Sequence, residues 1–282
     1  ISDALINLKT PSKKKELTIN GNFLNNKILI KLERKSKNKN NLTLKIPELD
    51  IETKVSFVKN NLGNINGFFN LKIFNNFLKF NFTKEDNLKL TNGFIRSKLI
   101  NSFFEGNIEF EPNFFSTLNL KILNLNIKKL FPLMKKTYFS NSISNLTLIK
   151  KINGVYKFKS KFEGKITSTN GEILFEEFKV GKKKSFLFSG KINEFGKKGK
   201  IQFSLTKIIK YQRDLTKKIE IKGVLIPSNS KIIFEKFFLD DKELSVEKTK
   251  EYENKFKDEI IQNTLVNIFN EDKMNRYLRN LF

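Results

Sequence analysis

The stretch Leu118-Asn119-Leu120-Lys121-Ile122 alternates apolar and polar side chains at every position. Because successive side chains of an extended strand point to opposite faces, this pattern predicts a β-strand with one apolar and one polar face. The same alternation recurs along the chain, for example over residues 27–32, 78–82 and 201–205. The sequence therefore predicts a mainly β protein with a long curled antiparallel sheet, forming either a groove or an open, jelly-roll-like β-sandwich.

Turn signals separate the alternating runs at short intervals. An Asn-Gly pair between such runs is the strongest short-range signal for a β-hairpin. Some glycines would instead fit bulges within strands, and Glu105-Gly106, Glu163-Gly164 and Ser189-Gly190 lie inside alternating runs, where a bulge or a close backbone approach is favoured. The Asn-Gly pairs stand at residues 20–21, 66–67, 92–93, 153–154 and 170–171.

Two segments depart from the alternation. Residues 127–138 predict a short helix interrupted at Pro132. From about Val246 to Leu281, apolar residues recur at spacings of three to four, which predicts an amphipathic helix with a possible break at Asn270-Glu271-Asp272. We expect this helix to cover an open end or edge of the sheet, and the alternative is docking on a membrane or a partner. The resulting division is 1–140 (β-hairpin repeats ending in a short helix), 141–245 (a second β region) and 246–282 (the helix).

The residues that are missing restrict the possible chemistry. The chain contains no His, no Cys and no Trp. A Ser-His-Asp triad, a thiol nucleophile and a thiolate zinc site are therefore excluded. Paired carboxylates are present, but they lie in Lys-rich stretches or near the ends of elements, which favours exposed charge. We expect a non-enzymatic protein without catalytic or metal-binding residues and without a cofactor. The pairs are Glu85-Asp86, Glu176-Glu177, Asp240-Asp241 and Glu271-Asp272.

The formal net charge of +25 invites the hypothesis of a nucleic-acid-binding protein. Nearly all of the positive charge is Lys, however, and Arg is the better group for bidentate phosphate contacts. Lys, Asn, Ile and Phe share A/T-rich codons, so a low-GC genome accounts for much of this composition. Alternation also predicts that Lys lies on the face opposite Phe. We therefore expect no nucleic-acid partner, and attraction to anionic lipid headgroups is the alternative use of the charge.

The stretch from Asn153 to Pro227 resembles a known family. It contains Asn-Gly followed by a strand at residues 170–180, a strand ending Ser-Gly-Lys-Ile at 186–192, and Gly-Lys-Ile-Gln-Phe-Ser-Leu at 199–205. This succession resembles the C-terminal region of the AsmA-like proteins of the bacterial envelope, which are related in architecture to TamB. Residues 87–95 and 105–110 are similar to an earlier copy, so the resemblance covers most of residues 15–240.

The resemblance implies a protein anchored in the inner membrane by an N-terminal helix, with a β-groove that conducts phospholipid through the periplasm in support of outer-membrane biogenesis. No run of about 18 apolar residues occurs here, so we expect the anchor to lie upstream of this chain. The implied partners are phospholipid, the inner membrane and outer-membrane assembly proteins. The alternative is a structural or assembly protein of the envelope with a filled β core. The expected groove wall is Phe158, Ile173, Phe175, Phe186, Phe188, Ile192, Ile201 and Phe203.

Overall fold

The computed structural model describes residues 2–9, 15–23, 26–36, 38–126, 128–130, 132, 153–160, 163–180, 186–194, 199–210, 216–261 and 270–281. It confirms a mainly β, antiparallel protein with helix at its C-terminal end. The chain divides into an N-terminal unit, Ile1–Leu125, and a C-terminal unit, Asn126–Phe282. The boundary predicted at residue 140 and most of the short helix predicted over 127–138 lie outside the described residues, of which 128–130 and 132 are helical.

In the N-terminal unit, each strand pairs antiparallel with the strand that follows it in the sequence. A 3-10 turn, Pro47–Leu49, links the fourth strand to the fifth. The strands are β1 (Ser2–Lys9), β2 (Lys15–Phe23), β3 (Asn26–Arg34), β4 (Lys39–Ile46), β5 (Ile51–Lys59), β6 (Ile65–Ile73), β7 (Asn76–Lys84), β8 (Leu88–Arg96), β9 (Ile100–Glu109) and β10 (Phe115–Leu125).

The C-terminal unit repeats the same order of antiparallel neighbours. A second 3-10 turn, Pro227–Asn229, precedes its seventh strand. The strands are β11 (Asn153–Ser160), β12 (Glu163–Thr169), β13 (Glu172–Val180), β14 (Phe186–Glu194), β15 (Lys200–Lys210), β16 (Thr216–Ile226), β17 (Lys231–Leu239) and β18 (Lys242–Glu243).

The predicted C-terminal helix is divided in the structure. Helix α1 (Val246–Phe256) continues into a π-helical turn (Lys257–Ile261), and helix α2 (Glu271–Arg279) follows. The break anticipated at Asn270 is confirmed, because the side-chain oxygen of Asn270 accepts a hydrogen bond from the backbone N–H of Lys273 and so caps the N-terminus of α2. Ser245 caps α1 in the same way through the N–H of Lys248. We call α1, the π-helical turn and α2 together the helical cover.

The buried core of the C-terminal unit forms where the helical cover packs on the sheet. Phe237, Ile219 and Ile221 of the sheet are at most 1% exposed, as are Tyr277 and Ile260 of the cover. The helix covers the sheet as expected, but the prediction of an open end or edge is wrong, because it packs on a face that extends from β14 to β17. The core comprises Phe186, Ile209, Ile219, Ile221, Ile232, Phe234, Phe237, Phe256, Ile260, Met274, Tyr277, Leu278 and Leu281.

Of the two settings predicted for the Asn-Gly pairs, the hairpin turn is wrong for most. The alternative of a bulge inside a strand is met at Asn92-Gly93, where the pairing of β8 with β9 is irregular. Only Asn170-Gly171 forms a two-residue turn, with φ of +51° and +89°. Gly67 and Gly93 instead lie within strands, directly opposite Phe82 and Phe104 of the neighbouring strands. A Cβ at either glycine would overlap that phenyl ring, so the glycines make room for aromatic side chains on one face. The pairs at residues 20–21 and 153–154 also lie within strands.

Candidate functional site

All eight residues expected to form a groove wall lie on one face of the C-terminal sheet. Ile173, Ile192 and Ile201 are consecutive partners across three strands. Phe175 and Phe203 both pair with Gly190, which lies between them. The register places Phe158, Phe186 and Phe188 on this same face, which we call the C-terminal apolar face. The periodicity of the sequence therefore identified a real face of the sheet.

The eight residues differ in their accessibility. Phe158, Ile173, Phe175 and Phe188 are half-buried, and so are Ile201 and Phe203. Phe186 is 6% exposed and belongs to the core beneath the helical cover, and Phe203 packs against the same core. Ile192 is 2% exposed. The half-buried residues therefore lie on β11, β13, β14 and β15, while the sheet residues of the core beneath the helical cover lie on β14 to β17.

Two specific hydrogen bonds fix the helical cover in place. Glu253 of α1 accepts a hydrogen bond from the backbone N–H of Phe234 at 2.9 Å. The hydroxyl group of Tyr277 donates to the backbone oxygen of Tyr252 at 2.8 Å, which joins α2 to α1. Burial raises the pKa of Tyr277 above its usual value, so this donor stays protonated in the folded protein. The helical cover is therefore held to the sheet through α1, and α2 is held to α1.

A lysine is buried at the margin of the cover. Lys207 pairs with Phe186 on one side and with Ile219 on the other, so its side chain lies on the apolar face. Its ammonium group lies 3.7 Å from the centre of the Phe186 ring, and the residue is 8% exposed. Burial lowers the pKa of Lys207, and the nearby carboxylate of Glu271 opposes that effect. A charged group at this position opposes folding.

The larger accessible apolar surface lies in the N-terminal unit. Register connects Ile19, Ile30 and Leu44 on the first strands, and the same row continues to Ile95 and Ile122 at the far side of the sheet. Two polar residues, Thr53 on β5 and the buried Ser102 on β9, also stand in this row. The row thus crosses nine strands, β2 to β10, and we call the face that bears it the N-terminal apolar face. Its other members include Leu17, Leu42, Val55, Phe57, Phe69, Leu71, Leu78, Phe80, Phe82, Leu90, Phe104, Leu118 and Leu120.

Most side chains of the N-terminal apolar face are only half-buried. The phenyl rings of Phe69 and Phe80 stack with their centres 4.7 Å apart, and Phe104 meets Phe80 edge-on at 6.0 Å. Among the described elements of this unit, each strand packs extensively only against its neighbours in the sheet and the 3-10 turn. The expected wall did not include these residues, although the same alternation marks them in the sequence.

The opposite, polar face of the N-terminal unit is divided into two chemically different areas. On β2 to β5, lysines pair with acids: Lys31 contacts Glu16 and Glu33, and Glu52 holds two more lysines. Hydrogen bonding to these lysines lowers the pKa values of Glu33 and Glu52. On β6 to β9 the same face carries phenylalanines instead, and those of β6, β7 and β9 are exposed. The prediction that Lys lies opposite Phe is therefore wrong for Phe68, Phe77, Phe94 and Phe103.

The paired carboxylates serve the fold where the structure describes them. Glu176 binds Lys165 and Thr167 of the adjacent strand, and Lys165 lowers its pKa. Asp240 and Asp241 form a turn in which both contact Lys218. Glu271-Asp272 begins α2, and Glu85-Asp86 lies in the turn after β7. Within the described part of the chain, no three acidic residues converge in a way that could hold a metal ion.

A cleft of about 370 Å³ lies between β17 and α1. Charged and polar side chains line most of it, with Ile233 and Leu244 among the apolar contributions. Its most buried acid, Glu253, already accepts the hydrogen bond from Phe234. The buried acid of this cleft therefore serves the packing of α1 on β17.

Comparison with known proteins gives no match: no family model, no curated protein and no solved structure matches this chain. None of the helices in the described residues has the length and hydropathy that a membrane crossing requires.

Proposed function

We propose that this chain is a non-enzymatic lipid-binding protein whose N-terminal apolar face holds the hydrocarbon of phospholipids. The observation that carries this proposal is the apolar face across nine strands, most of whose side chains remain half-buried. A contiguous apolar surface that extends across nine strands marks an interaction site. Hydrocarbon is the partner that such a surface accepts without requiring hydrogen bonds.

The dimensions of the face suit acyl chains. Neighbouring strands lie about 4.8 Å apart, so nine strands extend roughly 38 Å across the sheet. The hydrocarbon core of a bilayer, which contains two layers of acyl chains, is about 30 Å thick. The glycines opposite Phe82 and Phe104 support the proposal further, because they let aromatic rings lie over the backbone and extend the apolar surface.

The resemblance to the AsmA-like proteins supports a more specific version. On that reading, the chain conducts phospholipid through the periplasm, supports outer-membrane biogenesis and is anchored in the inner membrane by a segment outside this sequence. Outer-membrane assembly proteins would then be its partners. This version depends on the degenerate strand and turn pattern of residues 153–227.

Two adjacent residues on opposite faces give a sharp test. Phe69 lies on the N-terminal apolar face, whereas Phe68 lies on the polar face and is 39% exposed. The protein and its variants Phe69→Asp and Phe68→Asp are purified from bacterial membranes in a mild detergent. Native mass spectrometry and lipid extraction then measure bound phospholipid, and circular dichroism confirms that each variant is folded.

We expect phospholipid to co-purify with the parent protein and with Phe68→Asp, and to be lost from folded Phe69→Asp. A folded parent protein without lipid would refute the proposal. Equal loss of lipid from both variants would also refute it, because the binding would then not depend on the apolar face.

A structural or assembly role with a filled interior is the second candidate. The helical cover favours it, since it fills the C-terminal apolar face from β14 to β17 with side chains of the chain itself. Absence of lipid from the parent protein in the same experiment would favour this role.

A further inference from the structure

The polar face of the N-terminal unit carries an aromatic and cationic cluster. One row crosses four neighbouring strands in the order Lys79, Phe94, Phe103 and Lys121. The rings of Phe94 and Phe103 are 5.2 Å apart, and the ammonium group of Lys79 lies 5.7 Å from the centre of the Phe94 ring. In the next row, Phe77 lies opposite Arg96. We call Phe77, Lys79, Phe94, Arg96, Phe103 and Lys121 the aromatic–cationic patch.

The cations of the patch are not neutralised by the described residues. Lys79, Arg96 and Lys121 form no ion pair within the described part of the chain, in contrast to Lys31, Lys45 and Lys54 on the same face. One acid, Glu105, is nearby and follows Phe103 on this face by two residues. The patch therefore combines uncompensated positive charge with apolar surface, and its partner must supply negative charge next to hydrocarbon.

The exposed side chains indicate the geometry of that partner. Phe77 on β7 is 39% exposed and Phe103 on β9 is 47% exposed, and the half-buried Phe94 lies on the strand between them. Stacking of nucleic-acid bases would need open ring faces. Phe94 is half-buried, packed against Phe103 with an interplanar angle of 43° and approached by Lys79. The boundary between headgroups and acyl chains of a lipid bilayer is fluid, so phenyl side chains can enter it without presenting a whole ring face.

We propose that the aromatic–cationic patch docks the chain on the surface of an anionic lipid bilayer. The three cations contact lipid headgroups, and Phe77 and Phe103 enter the boundary between headgroups and acyl chains. This docking goes beyond binding of lipid on the apolar face, because it uses the opposite face of the same sheet and different residues.

The test measures co-sedimentation of the full chain with phosphatidylcholine vesicles, with and without phosphatidylglycerol. The variant Lys79→Gln/Lys121→Gln removes two cations from the patch. Its matched control, Lys45→Gln/Lys54→Gln, removes two cations from the same face that are both paired with Glu52. A second pair compares Phe103→Ser with Leu62→Ser, since Leu62 is 86% exposed on the turn after β5 and lies outside the patch.

We expect binding that requires phosphatidylglycerol and weakens as salt is added. Each cation near an anionic surface strengthens binding by about fivefold, so the patch variant should bind about 30-fold more weakly while its control changes little. Phe103→Ser should weaken binding by about fivefold and Leu62→Ser should not. Folded Phe69→Asp should still bind vesicles, so failure of docking and failure of lipid binding on the apolar face are distinguishable.

Equal binding to both kinds of vesicle would overturn the proposal. Equal effects of the two double lysine variants would do the same. Binding to single-stranded oligothymidylate without binding to anionic vesicles would assign the patch to nucleic acid instead.

Discussion

The carboxylate of Glu253 accepts a hydrogen bond from the backbone N–H of Phe234 at a bulge in β17, where Glu235 has no partner in the adjacent strand. The bulge removes this N–H from the ladder between strands, and burial removes it from water. A side chain of α1 therefore completes the hydrogen bonding of the sheet. Glu253 also contacts Lys257 one turn further along the helix.

Removal of this acceptor should destabilise the C-terminal unit. Glu253→Ala leaves the N–H of Phe234 buried without a partner, and we expect a loss of about 2 kcal/mol in the free energy of unfolding. Glu251→Ala is the control, because Glu251 is exposed and pairs only with Lys255, and it should cost less than about 0.5 kcal/mol. All five Tyr follow residue 125, so urea unfolding followed by Tyr fluorescence reports on this unit alone. Equal losses in the free energy of unfolding from the two variants would contradict the role of Glu253 in completing the hydrogen bonding of the sheet.

Replacement of Lys207 by Met should stabilise the same unit. Burial lowers the pKa of Lys207 in the folded state below the value of 10.5 for an exposed lysine, so the charged form is favoured in the unfolded chain. We expect Lys207→Met to raise the free energy of unfolding at pH 7 by about 1 kcal/mol. The stability of the parent protein rises between the lowered pKa and pH 10.5, so its difference from the variant should be smaller at pH 10. A destabilised variant at pH 7 would show that the contact with the Phe186 ring outweighs burial.

Tyr277 should make the C-terminal unit sensitive to alkali. Its pKa is raised in the folded state, so the neutral phenol contributes stability that is complete below pH 10, the unfolded value. That stability is lost as the pH rises from 10 towards the folded pKa. Tyr277→Phe should cost about 1 kcal/mol at pH 7, through loss of the bond to Tyr252, and should show a shallower decline above pH 10. Unfolding at a series of pH values measures both, and parallel declines would contradict the expectation.

A methyl group at Gly67 should destabilise the N-terminal unit. The Cβ of Gly67→Ala would overlap the ring of Phe82 and lie 2.6 Å from the backbone oxygen of Ser56. We expect a cost of about 2 kcal/mol, typical of overpacking. Asn66→Ala, on the exposed side of the same strand, should cost less than about 0.5 kcal/mol. Hydrogen exchange of the backbone amides in β6 and β7 measures both, and unchanged protection in Gly67→Ala would contradict the close packing.

The faces of the strands could be predicted from the sequence, because side-chain direction in a strand depends only on position along the chain. Ile173, Ile192 and Ile201 were therefore assigned to one face, and register places them side by side. Which residues of the sheet the helices bury could not be predicted in the same way. Phe186 follows the same alternation as Phe188, but it is buried in the core that the distant helical cover forms with the sheet. Alternation carries no information about contacts at that distance.

The glycines show a second limit of sequence reasoning. Asn-Gly is favoured in tight turns for its backbone conformation, and Asn170-Gly171 follows that rule. At Gly67 and Gly93 the decisive factor is the large ring opposite, which belongs to a strand whose pairing is unknown from local sequence. The half-buried Phe94 and the exposed Phe103 likewise break the expected separation of Phe from Lys, because each strand was considered without its neighbours.

The position of the helical cover determines which part of the C-terminal apolar face a ligand can contact. Phe186 and the core residues of β15 to β17 are closed to a ligand, whereas Phe158, Phe175 and Phe188 of the same face remain half-buried. A ligand on this face is therefore limited to the part beside the helices, and the hydrogen bonds of Glu253 and Tyr277 hold the helices over the rest.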